Sequence, residues 1–304
     1  MVKKLSFGIL VIAVLVFSCG SAFAINMKAI TEDVSLGDKD FPPNMTSFIF
    51  QVKGSNLYGI VYVAEGKGPH PTALVLHGFP GNEKTLDLAQ ALRRAGINAV
   101  FFAYRGAWGS EGNFSYQNCV EDTMTAIDFF KRPENIQKFR VAPEKFIVIG
   151  HSMGGFVTMN IAKLRQDVKA YVYLSGWNVG YEAERLNKAD AEARAKRKQG
   201  LAASAAPLKG VNADLLLEEI LSMKDTHNLV GFVPELKGKK ILMVTAKQDT
   251  ACPAEYDHKP LYDALKKEYP NDVSELVLDT DHVYSIARVE MIRGVFEWLQ
   301  NIGY

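Results

Sequence analysis

Cysteine is scarce in this chain, and neither sign of charge dominates. Three cysteines occur in 304 residues, and 35 lysines and arginines face 34 aspartates and glutamates, for a net charge of +1. So few thiols exclude a small disulfide-stapled scaffold, and a chain of this length can bury one large core without staples. Balanced charge removes the phosphate-neutralising term that holds nucleic acid, so no nucleic-acid partner is expected. The six histidines (His70, His77, His151, His227, His258 and His282) are scattered. None falls in an HExxH or similar ligand spacing, so no metal centre is expected.

Long apolar runs are rare too, and the exception stands at the start. Lys3 and Lys4 precede the apolar stretch from Leu5 to Phe17, and Ser21-Ala22-Phe23-Ala24 supplies small residues at positions −3 and −1 of a cleavage site after Ala24. The run is too short to cross a hydrocarbon core of about 30 Å comfortably. It reads as a signal peptide over residues 1–24, and the mature protein, residues 25–304, is expected to be exported to the periplasm or beyond, with no stable membrane span. Val16-Phe17-Ser18-Cys19 is an imperfect lipoprotein box, and lipidation at Cys19 is the alternative. Removing the leader leaves 33 basic and 34 acidic side chains, with Cys119 and Cys252 as the remaining thiols. Their spacing does not show a bridge, and two unpaired, buried thiols are the simpler expectation.

Beyond a polar lead-in, Ser47–Val52 and Leu57–Val63 predict an antiparallel hairpin. A strict alternation follows. Strands are predicted at Thr72–Leu76, Asn98–Tyr104, Lys145–Ile149, Ala170–Leu174, Lys240–Thr245 and Glu275–Leu278. Helices are predicted around Leu88–Ala95, closed by Gly96, and over Val120–Phe130, Met153–Leu164 and a last segment with Val289, Ile292, Phe296 and Leu299 on one face. Unbroken apolar strands imply burial on both faces, hence a mostly parallel sheet of about eight strands flanked by helices. Between Ser175 and Gly238 no strand is predicted. Glu182–Lys198 reads as one helix ended by Gly200, Leu201–Gly210 as a loop, and Asp214–Met223 as a helix starting near Asn212. This stretch, about residues 177–237, reads as a helical cap inserted into the sheet domain. The basic cluster Arg194, Lys196, Arg197 and Lys198 reads as a solvated helix end complementing its own dipole.

The chemistry concentrates at Gly150-His151-Ser152-Met153-Gly154-Gly155, after a predicted strand and at the start of a predicted helix. A serine on that sharp turn projects its hydroxyl above the sheet, and its neighbours two residues away must be small. Met153 opens the helix, so its amide is aimed where negative charge develops on a bound carbonyl. Of the histidines, His282 follows the final strand through Asp279-Thr280-Asp281 and stands at the sheet edge beside Ser152. His258, within an apparent helix, is the weaker candidate base. His151 is adjacent in the turn, His77 ends a strand, His70 lies in a loop and His227 in the cap. Asp249, in the loop after Lys240–Thr245, gives the order serine, aspartate, histidine, whereas Asp279 and Asp281 read as solvated loop acids. A second oxyanion donor is expected from the amide of Phe79 in His77-Gly78-Phe79-Pro80-Gly81.

Together with Tyr104-Arg105-Gly106-Ala107-Trp108-Gly109-Ser110-Glu111-Gly112, these motifs resemble the α/β-hydrolase superfamily over roughly residues 46 to 301. The resemblance implies the α/β-hydrolase fold, a triad of Ser152, Asp249 and His282, an oxyanion hole at Phe79 and Met153, and no metal or organic cofactor. The chain is similar to small bacterial esterases, including cinnamoyl and feruloyl types, and to catalytic domains of prolyl-oligopeptidase-like enzymes. The expected reaction is therefore hydrolysis of a small-molecule carboxylic ester through an acyl-enzyme. A peptidase or amidase, and a non-catalytic binding protein on the same fold, are the alternatives.

Overall fold

The computed structural model describes residues 25–304, so the expected leader lies outside the described residues. Eight strands, β1 (Asn44–Val52), β2 (Ser55–Val63), β3 (His70–Leu76), β4 (Asn98–Phe102), β5 (Val141–His151), β6 (Ala170–Leu174), β7 (Lys240–Ala246) and β8 (Val273–Leu278), form one sheet in the order β1-β2-β4-β3-β5-β6-β7-β8. β1 and β2 form the predicted hairpin, β2 pairs antiparallel with β4, and every later pairing is parallel. Ten α-helices are described: α1 (Leu86–Arg94), α2 (Tyr116–Phe130), α3 (Pro133–Phe139), α4 (Met153–Leu164), α5 (Val179–Lys188), α6 (Ala191–Ser204), α7 (Ala213–Ser222), α8 (Ala254–Asp257), α9 (Lys259–Glu268) and α10 (Arg288–Asn301).

The central strands alternate between two cores because successive side chains point to opposite faces. Leu74, Leu76, Val148, Tyr171, Tyr173 and Met243 face the layer that includes α2 and α4. Ala73, Val75, Ile147, Ile149, Val172 and Val244 face α1 and α10. Both faces are covered, and this explains the unbroken apolar runs. Every carboxyl-end loop of β3, β5, β7 and β8 opens at the same sheet edge, where ligands of open α/β sheets sit.

Several boundaries differ from the sequence reading. The predicted helix Glu182–Lys198 is two helices, α5 and α6. Asp190 caps α6 by accepting from the amide of Ala193 at 2.8 Å. Arg194 reaches back to the carbonyl oxygens of Leu186 and Asn187, each at 2.7 Å. That basic residue therefore closes the preceding helix, not its own. Gly200 lies inside α6, where nothing stands within 4 Å of an added Cβ, and the helix continues to Ser204. α3 and a 3-10 segment at Leu229–Leu236 lie where no element is predicted. His70 begins β3, buried, with its ring on the carbonyl of Gly66 at 3.0 Å. Cys119 and Cys252 are both free and buried.

Candidate active site

Ser152 sits between the end of β5 and the start of α4 with φ 57° and ψ −121°, a strained conformation for a residue bearing a side chain. The neighbouring glycines make the turn possible. A Cβ on Gly150 would come within 1.9 Å of the carbonyl oxygen of Gly154, and one on Gly154 within 2.3 Å of that of Leu76. The turn is pinned by backbone bonds. Ser152 donates to Leu174 at 3.0 Å, and its carbonyl accepts from Gly155 at 2.8 Å and Trp177 at 3.0 Å. Gly78, after β3, packs against the serine, since a Cβ there would meet Ser152 Cβ at 2.8 Å. Among the described residues the amides of Phe79 and Met153 donate to no protein acceptor. Both residues line the cavity that contains Ser152, so their N–H groups are free for a ligand oxygen.

His282 and Asp249 come from the loops after β8 and β7. Asp249 Oδ2 accepts from His282 Nδ1 at 2.7 Å, with the carboxylate fully buried and the imidazole one-fifth exposed. Its Oδ1 accepts from the amides of Ala251 at 2.9 Å and Cys252 at 2.8 Å. A carboxylate only accepts, so Nδ1 is the donor, and in the neutral imidazole this leaves the lone pair on Nε2. The two loops are braced together: Gln248 donates from its amide to Thr280 at 3.0 Å and from its side chain to Asp279 at 3.1 Å. Asp281 accepts from the amide of Ser285 at 2.8 Å and its hydroxyl at 2.6 Å. Those two acids brace the histidine loop while staying open to solvent, as expected of loop acids.

His151 has a part that sequence reasoning missed. Its Nε2 donates to the carbonyl of His282 at 2.8 Å, and the two rings lie 4.6 Å apart. Burial, then the neighbouring His282, pulls its pKa down to about 4, so it acts as a neutral donor. No spacing in the sequence signals this contact, which spans 131 positions. His258 is remote from this arrangement; it bonds Glu275 at 2.8 Å and stacks on Tyr262. His77 Nδ1 contacts its neighbour's carbonyl, at Gly78, at 2.7 Å, and burial brings its pKa to about 4. Arg105 is bound beneath the site by Asp122 and Glu121, and Trp108 donates to Pro80 at 2.7 Å.

The cavity holds about 480 Å³. Ser152, His282, Phe79 and Met153 line it, together with Trp177, Tyr181, Glu182, Arg185, Arg197 and Ser204 of the helical insertion between β6 and β7. Trp177 and Arg197 converge there on Glu182, each at 2.6 Å. Arg197, from the basic cluster, is therefore an internal strut and not part of a solvated helix end. Lys198 likewise pairs with Asp214. Tyr116 also lines the cavity, buried, with a hydroxyl that has no hydrogen-bond partner. Cys252 places its thiol beside the Ser152 hydroxyl, and burial, with Asp257 and Asp249 nearby, keeps that thiol protonated. Asp257 accepts from the amide of Asn178 at 2.7 Å, and burial pushes its carboxyl up to about 7. Among the described residues no helix is long and apolar enough to cross a membrane.

Known proteins match this frame. A family model described as "Alpha/beta hydrolase family" matches residues 73–293. The uncharacterized protein YfhR of Salmonella typhimurium is 31% identical over 119 residues, 38% of this chain and 39% of that protein. The chain thus matches about two fifths of that relative's length. An esterase of Pyrococcus furiosus superposes with a TM-score of 0.61 at 19% identity, over 86% of this chain and 91% of the esterase. The acylaminoacyl peptidase of Pyrococcus horikoshii gives 0.64 at 18% identity, over 86% of this chain and 42% of the peptidase.

Proposed function

Since the chain belongs to the alpha/beta hydrolase family, we propose that it is a serine hydrolase that cleaves carboxylic esters through an acyl-enzyme. One observation carries the reading: a buried carboxylate holds the Nδ1 proton of an imidazole that shares a cavity with a serine on a strained, glycine-flanked turn. In this reaction Ser152 Oγ attacks the ester carbonyl while His282 Nε2 takes its proton. The tetrahedral oxyanion rests on the amides of Phe79 and Met153. His282 then returns the proton to the leaving alcohol, water attacks the acyl-serine by the same route, and Asp249 stabilises the imidazolium in both halves. The helical insertion acts as a cap that walls the substrate.

A fluorophosphonate probe tests the assignment. Labelling of the wild type and none of Ser152→Ala is the expected result; labelling that survives Ser152→Ala moves the nucleophile elsewhere, and a wild type that neither labels nor turns over esters is a binding protein on this fold. A panel of chromogenic esters beside peptide amides then separates esterase from amidase. We further propose that residues 1–24 direct export. Mass spectrometry of cell fractions distinguishes cleavage after Ala24 from a lipidated Cys19 and from an uncleaved cytoplasmic chain.

A further inference from the structure

Of the three arginines in the helical insertion, two have oxygen partners. Arg194 holds the carbonyls at the end of α5, and Arg197 holds Glu182. Arg185 has none among the described residues, although it lines the same cavity as Ser152. Its guanidinium carbon stands over the Tyr256 ring, 4.2 Å from the centroid, on an exposed side chain, and Tyr256 in turn stacks on Tyr181, another lining residue. The contact with the ring leaves the N–H groups of the fork without a protein acceptor, and a free fork can take a carboxylate with two parallel bonds.

The neighbouring acids do not cancel this cation. Glu182 is engaged by Arg197 and the Trp177 indole. Asp257 is turned to the Asn178 amide, and burial holds it largely protonated up to about pH 7. The unpartnered Tyr116 hydroxyl, on another lining residue, offers one more donor.

We propose that the substrate is an anionic ester, one carrying a carboxylate on its acyl or alcohol portion, and that Arg185 binds that carboxylate in the cavity that Ser152 also lines. One uncompensated guanidinium matches a single negative charge, whereas a phosphate dianion would leave charge unpaired beside Glu182. The inference rests on the serine-hydrolase reading.

Two matched pairs of esters test it. p-Nitrophenyl monoadipate against p-nitrophenyl hexanoate places the charge on the acyl side, and 4-acetoxybenzoate against phenyl acetate places it on the alcohol side. Each anionic-to-neutral ratio of kcat/KM is divided by the same ratio for hydroxide. In the wild type one pair is expected to favour the anion about ten-fold, the worth of one charge-assisted contact. Arg185→Gln should abolish that preference and Arg185→Lys should keep part of it. Lys196→Gln removes a nearby charge outside the cavity and should keep all of it. A wild type that favours the neutral ester in both pairs, or a preference that survives Arg185→Gln, overturns the proposal. If Ser152 labels and neutral esters turn over without charge preference, only this inference falls. If nothing labels and no ester turns over, the serine-hydrolase reading has failed first.

Discussion

Replacing Asp249 by asparagine perturbs the proposed machinery at one atom. The carboxylate has two differently committed oxygens: Oδ1 accepts from two backbone amides, at 2.9 and 2.8 Å, and Oδ2 from His282 at 2.7 Å. An asparagine must turn its oxygen toward the two amides, because its NH2 group would otherwise face two donors. The NH2 group then faces Nδ1, which becomes an acceptor, and the ring proton moves to Nε2. The imidazole can no longer take a proton from Ser152. A wrong tautomer of this kind costs about 10⁴-fold in kcat, or about 5.5 kcal/mol of transition-state stabilisation. Three contacts survive with one charge lost, so the stability cost is only about 1 kcal/mol. Steady-state hydrolysis of a chromogenic ester, with thermal unfolding in parallel, measures both. An Asp249→Asn enzyme within ten-fold of wild type would refute the tautomer argument. So would a larger loss from Asp257→Asn, which alters the other buried carboxylate of the cavity.

Further outcomes follow from the same geometry. Ser152→Ala and His282→Ala should each cut turnover by about a million-fold, because such groups act as a unit, whereas His258→Ala should keep most activity in the same ester assay. His151→Phe keeps the ring packing but removes the donor to His282, and kcat should fall several-fold for about 1 kcal/mol of lost positioning, with KM unchanged. Gly150→Ala drives a methyl onto the Gly154 carbonyl; melting should show a loss above about 2 kcal/mol, and an unaltered midpoint would mean the turn is looser than described. Asp257→Asn probes linkage. Burial raises the folded pKa to about 7, so the wild type is progressively destabilised as pH rises from about 4 through 7, and an asparagine is not. The variant's melting temperature relative to wild type should therefore be higher at pH 8.5 than at pH 5, and a pH-independent difference would refute it. Glu182, Asp249 and Arg185 face the same group and set the size of the effect.

The sheet and the serine turn were legible because their signals are steric. Alternating buried strands need apolar side chains on both faces, and the turn at Ser152 admits only glycine at 150 and 154. Helix α4 accordingly runs over the predicted residues, Met153–Leu164. The insertion was less legible. Its alanine, glutamate, arginine and lysine run has high helix propensity, which masks the weaker formers Asn187 and Asp190 at the break. The break comes from Asp190 and Arg194 capping against the backbone, local contacts that a propensity sum does not weigh. Gly200 failed as a stop because its site is open, where a glycine costs a helix only about 1 kcal/mol. At the site, Asp249 and His282 could be placed by strand order. The part played by His151, and the pairing of Arg197 in α6 with Glu182 in α5, depend on separate elements meeting in space and left no local trace.

The bond from His151 to the His282 carbonyl ties two segments that the chain order keeps far apart. A displacement of the nucleophile's turn pulls on the base's backbone, so the positions of the two proposed reacting groups are coupled through one hydrogen bond. Trp177 of the insertion also donates to the Ser152 carbonyl, so remodelling of the insertion must spare this bond to leave the pair in register.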